Sequence, residues 1–192
     1  MKNIINKGIH ITKFDAAVRQ LETATVLWFN NADPVSIHTL ICAAYQILYD
    51  INKHQDVLFM MPDSPMIKPE KQREWKRRLK AASNFMKHAE NDPVETLSFD
   101  PELNEFFLFD AIMSYTILTK ETRPILQCFL TWLLNFRPEF FLPKYTQMLN
   151  NICPVDVLKN LDRASFFKIA LPLVTSRIIP SHKIPRKNKK KC

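Results

Sequence analysis

The sequence predicts an all-α fold: a compact bundle of about five main helices followed by shorter C-terminal ones. Three observations predict it. Glycine occurs once in 192 residues, at Gly8, where ordinary usage is about 7%. Tight β-hairpins, phosphate-cradling loops and dinucleotide folds all need glycine's backbone freedom, so they are excluded together. Thirteen prolines punctuate the chain instead, several in positions that suit the first turn of a helix. Between them, apolar residues recur at spacings of three and four, the helical period. A hydrophobic content of 46% with 24% charge is that of a globular protein. The length suits one domain with a sizeable core, here residues 1–176, followed by a tail over 177–192.

The elements follow in order. Thr12 with Asp15 makes a shortened capping box opening a helix to about Asn30, with Phe14, Ala17, Val18, Leu21, Ala24, Thr25 and Trp28 at helical spacing. After the break at 30–32, Asp33 caps a second helix and Pro34 takes its first position, where a missing N–H costs nothing. At about 100° per residue, Ile37, Leu40, Ile41, Ala44, Ile47, Leu48 and Ile51 form a continuous apolar face. His38, Cys42, Tyr45 and Tyr49 form an adjoining stripe left over once that face is assigned to the core. The short break predicts an antiparallel hairpin of these two helices.

Residues 54–68 read as a loop, with Val57–Met61 tucked over the core and Pro62 and Pro65 preventing regular structure. A third helix runs from Pro69 to about Asn91, with Trp75, Leu79, Ala82, Met86 and Ala89 as its core stripe. Asp100 and Pro101 open a fourth helix to about Thr119, and a fifth spans Thr122 to Phe136. Shorter helices are expected over 143–150, 154–160 and Arg163–Ala170, with Pro172 and Pro180 ending regular structure. The Asp-Pro steps at 33, 92 and 100 are irregularly spaced and followed by different residues, so they are no repeat.

Charge is uneven. Nine of the 27 basic residues and none of the 19 acidic ones lie in residues 163–192, so the overall charge of +8 describes the tail rather than the domain. The segment Ser181–Cys192 is expected to stay disordered. Cys42, Cys128, Cys153 and Cys192 show no paired spacing, and the N-terminal residues are too polar for a secretory leader. Free thiols in a reducing cytoplasm are the expectation. The densest apolar run, Ile125–Phe136, is interrupted by Gln127, Thr131 and Asn135 and is too short to span a bilayer.

Two candidate sites emerge. His38 with Tyr45 on the second helix, and Asn84, His88 and Asp92 on the third, would form a site if the two polar groups meet, since imidazole serves as a general base near neutral pH. The competing interpretation makes both histidines hydrogen-bonded structural residues. Cys42, one turn from His38, is read as core filling. The second candidate is basic: Arg73, Lys76, Arg77 and Lys80 on the third helix, with Arg186 and Lys187 in the tail, suit phosphates or an acidic partner. The competing interpretation is a solvated face where Glu70 and Glu74 pair with neighbouring cations. Neither Glu-x-x-His nor His-Glu-x-x-His occurs, so no metal and no cofactor is expected.

The stretches Asp15–Ala24, Asp33-Pro-Val-Ser-Ile-His-Thr-Leu40, Ala43-Ala-Tyr45 and Asn84-Phe-Met-Lys-His-Ala89, the last followed by Asp92-Pro93, carry a resemblance over roughly residues 10–175. The chain resembles a family of small bacterial all-helical proteins of about this length, a likeness that implies the fold and no particular activity. More loosely, it is similar in helical style to the HEPN ribonucleases. Their mark is an Arg, four to six intervening residues, then a His on one helix. Here nine residues separate Arg78 from His88, so the motif is not met. The expectation is therefore a non-enzymatic module binding a protein or nucleic acid. The alternative is a HEPN-like nuclease or other hydrolase using His38 and His88.

Overall fold

A computed structural model describes residues 8–55, 57, 60–90, 93–142 and 160–176. The fold is all-α. Its helices are α1 (Lys13–Phe29), α2 (Pro34–Gln55), α3 (Gln72–Phe85), α4 (Leu103–Thr119), α5 (Pro124–Phe136) and α6 (Arg163–Thr175), with single 3₁₀ turns at Met61–Asp63, Pro69–Lys71 and Pro138–Phe140. The expected helices over 143–150 and 154–160, and the C-terminal tail, lie outside the described residues.

The first two helix starts are built as the sequence predicts, while the fourth helix begins at Leu103, after a turn at the expected Asp100-Pro101 start. The Asp15 N–H donates to Thr12 Oγ1 at 3.0 Å and the Thr12 N–H donates to Asp15 Oδ2 at 2.9 Å, a reciprocal capping box. Asp33 accepts from the Ser36 N–H at 2.7 Å, and Asp162 accepts from the Ser165 N–H at 2.9 Å. Helix ends show what one glycine costs. Asn31 and Lys120 adopt φ of 51° and 60°, left-handed positions that glycine ordinarily fills.

α1 and α2 pack along their lengths across a four-residue link, the expected hairpin; α4 packs on α2 and also touches α1, and α5 and α6 pack on each other and on α1. Leu21, Phe29, Ile41, Leu48, Leu108, Ile112, Leu126, Phe129 and Phe166 are buried together. An aromatic cluster ties the α1, α5 and α6 side: Trp28 meets Phe129 and Trp132 edge-on at centroid distances of 5.1 and 4.7 Å, and Phe29 stacks on Phe167 at 4.6 Å. Of the segment expected to tuck over the core, Met60 is buried but Val57 is exposed.

The structure corrects three further local expectations. His38, Cys42, Tyr45 and Tyr49 are not left over: all four are buried, because both α1 and α4 pack on α2. α3 starts three residues later and ends at Phe85 rather than Asn91. Its expected stripe is only half-buried, Ala89 is exposed, and Ser83 is the residue it buries. So little apolar surface cannot sustain a longer helix. α6, in contrast, passes through Pro172 to Thr175. Pro172 and Lys168 both face solvent, so the Lys168 carbonyl that loses its helical donor stays in water. Meanwhile Ala170 and Val174 anchor the turn in the core.

Candidate functional site

α2 holds its polar stripe against α4. His38 is 1% exposed, with its ring edge-on to Phe99 and Phe107 at 4.9 and 5.3 Å. Its Nδ1 lies 2.9 Å from Asn104 Oδ1, and the Asn104 Nδ2 donates to the Pro34 carbonyl at 3.1 Å. An amide oxygen can only accept, so Nδ1 carries the proton and Nε2 is free to accept. Cys42 Sγ lies 3.3 Å from Nε2 and donates to it. Burial pushes the His38 pKa down and that of Cys42 up, the Asn104 and Ser83 hydrogen bonds respectively opposing these shifts. The chain Asn104–His38–Cys42 is thus neutral at pH 7. It satisfies every polar atom it buries and fixes the start of α4 against the start of α2.

One turn on, the Tyr45 hydroxyl donates to Asp110 of α4, and the Met61 N–H donates to the same carboxylate oxygen at 3.3 Å. Burial raises the pKa of both side chains. Tyr49 bonds Asp63, which also pairs with Lys76 at 2.6 Å, and the Trp75 indole N–H donates to the Met61 carbonyl at 2.8 Å. These bonds strap the 60–63 turn and α3 to the bundle.

Asn84 and His88 both lie on the surface, Asn84 in the last turn of α3 and His88 just past its end; the His88 N–H donates to the Asn84 carbonyl at 3.0 Å. The His38 side chain bonds Asn104 and Cys42 and meets Phe99 and Phe107 edge-on, and the charge of Lys87, the neighbour of His88, adds to burial in lowering its pKa. Asp92 lies outside the described residues, as do Arg186 and Lys187.

The cations of α3 and its start fall into two sets. Lys71 and Arg78 both pair with Glu74, at 3.1 and 2.7 Å, and Lys76 pairs with Asp63. Arg73, Arg77 and Lys80 are exposed and form no ion pair among the described residues. Their spacing of four and three places them on one line along the helix. Paired Lys76 lies beside this line, three residues from Arg73 and four from Lys80, and its charge is directed to Asp63.

Sequence reasoning missed a further cluster. Glu105 of α4 is 5% exposed and receives the Arg137 guanidinium at 3.2 Å and that of Arg163 at 3.1 Å. Arg163 also lies over the Trp28 ring at 4.0 Å. Beside it opens a shallow cleft of about 200 Å³ lined by Trp28, Asn31, Pro34, Ile37, Asn104 and Arg163. The available signal was the rarity of acids in α4: among its aromatic and aliphatic residues, Glu105 and Asp110 are the acidic ones, and both turn out to be structural.

Among the described residues, no three His, Cys, Asp or Glu side chains converge as a metal site, and no helix is long and apolar enough to cross a membrane. No protein-family model, curated protein or solved structure matches the chain.

Proposed function

We propose that the protein is a non-enzymatic helical module that binds an acidic macromolecular partner through α3. The observation that carries this reading is the line of Arg73, Arg77 and Lys80, which form no ion pair among the described residues, on a helix whose other cations, Lys76 and Arg78, are ion-paired. α3 buries little of itself, so the bundle presents it as an outlying, charged surface. The titratable groups that α2 and α4 bury against each other are occupied: His38, Tyr45 and Asp110 all bond across helices.

Retention on immobilised heparin, a sulfated polyanion, tests this. The triple variant Arg73→Gln, Arg77→Gln, Lys80→Gln should elute at markedly lower salt than the wild-type chain. A control, Lys71→Gln, Glu74→Gln, Arg78→Gln, dissolves an existing ion-pair cluster and should elute close to wild type. Equal elution of the wild type and the first variant would sink the reading.

The second reading is a HEPN-like nuclease or other hydrolase using His38 and His88. The exposed imidazole of His88, just beyond the basic line, favours it. It predicts that the wild-type chain cleaves RNA near neutral pH and that His88→Ala abolishes cleavage. An inert wild-type chain would exclude it.

A further inference from the structure

Resting on the α3 binding function, we infer that its partner is the sugar–phosphate backbone of a double-stranded nucleic acid, seated along Arg73, Arg77 and Lys80. The first argument is spacing. At about 1.5 Å of rise per residue, the line covers roughly 10 Å from Arg73 to Lys80. A duplex presents one phosphate charge per roughly 1.7 Å of axis, so each of the three cations has a phosphate within reach of a small side-chain adjustment. Asn84, exposed and four residues past Lys80 on the same line, adds a neutral amide donor of the kind that also contacts phosphate oxygens.

The second argument is what the line lacks. Stable protein interfaces centre on buried aromatic or aliphatic anchors, yet none of the large exposed apolar side chains lies on α3. Single-stranded nucleic acids are held by aromatic platforms on which bases stack. The aromatic residues of α3 do not offer one: Trp75 is half-buried with its N–H committed to the Met61 carbonyl, and Phe85 is half-buried as well. A face of regularly spaced charge without an apolar anchor matches regularly spaced phosphates whose bases stay stacked. Such contacts position a partner without reading its sequence.

The third argument is selectivity within the helix. Lys71, Lys76 and Arg78 share the carboxylates of Glu74 and Asp63, so among the described residues the cations of this helix without an acid at ion-pair distance are Arg73, Arg77 and Lys80.

The test uses the full chain and fluorescence anisotropy with labelled 20-base-pair DNA and RNA duplexes, a labelled single strand of the same length, and poly-glutamate as competitor. At least one duplex should bind more tightly than the single strand, and poly-glutamate at equal charge should displace it poorly. Which duplex binds better tells DNA from RNA. With three phosphates neutralised, the wild type should lose about 40-fold more duplex affinity than the Arg73/Arg77/Lys80 triple glutamine variant between 50 and 200 mM salt. These substitutions are at exposed positions, and helical circular dichroism confirms that the variant is folded. A single strand bound as tightly as either duplex, or poly-glutamate displacing it readily, overturns the duplex assignment while leaving the α3 reading intact. A triple variant that binds duplex like wild type overturns both.

Discussion

Replacing Glu105 with alanine tests the architecture at its most loaded point. The Glu105 carboxylate is buried and makes charge-assisted bonds of 3.2 and 3.1 Å to Arg137, which follows α5, and to Arg163, which begins α6. Removing one partner from a fully buried ion pair costs about 3–5 kcal/mol, because a charge is left without water or counter-charge. Here both guanidiniums keep about a third of their surface in solvent, and Arg163 retains its place over Trp28. Water can therefore recover part of the loss, which lowers the expected cost to about 2–3 kcal/mol. Glu105→Gln keeps the shape and one acceptor oxygen and should cost about 1–2 kcal/mol. Urea unfolding followed by circular dichroism measures both, and the dependence on denaturant should be unchanged, since the surface exposed on unfolding is the same. Thermal midpoints should fall by about 5–10 °C for the alanine variant. A loss below about 0.5 kcal/mol would refute the reasoning, placing the pair among surface contacts of negligible worth.

Two further predictions concern stability. Burial holds the folded-state pKa of Asp110 above its ordinary value, so its contribution is fully present below about pH 3.8 and is lost as pH rises through the folded pKa. Asp110→Asn has no such titration, so its stability relative to wild type should increase as pH is raised from 4 toward neutrality in matched urea titrations; a flat or falling difference would contradict this. Lys120→Gly relieves a left-handed residue at the end of α4 and should stabilise the protein by about 0.5–1 kcal/mol, read as a rise in the urea midpoint; a destabilised variant would show that the Lys120 side chain contributes more than the strain.

Much of the fold was legible in the residues themselves, because its signals are local. Thr12, Asp15, Asp33 and Pro34 specify helix starts by chemistry that acts within four residues, and these starts form as read. The apolar face of α2 was equally plain. What escaped was everything decided by a distant neighbour. Nothing in the α2 wheel says that α4 covers the His38 and Tyr45 stripe; the partners Asn104 and Asp110 lie more than sixty residues away. Pro172 reads as a helix stop locally, yet the burial of Ala170 and Val174 carries α6 past it. The extent of α3 failed for the opposite reason: its periodic residues find too little surface to bury against. The basic residues of α3 were visible as a group, but which ones remain unpaired depends on the rotamers of Glu74 and on Asp63, a loop residue. That division carries the functional proposal.

Two adjacent arginines test that division most directly. Arg77 lies on the unpaired line, whereas Arg78, its immediate neighbour, is bound to Glu74 at 2.7 Å. In duplex-binding titrations across salt concentration, Arg77→Gln should reduce the slope of log affinity against log salt by about 0.9, the value of one phosphate contact. Arg78→Gln should leave that slope nearly unchanged. Equal changes from the two substitutions would contradict the account, showing that α3 acts by its total charge and not by its unpaired line.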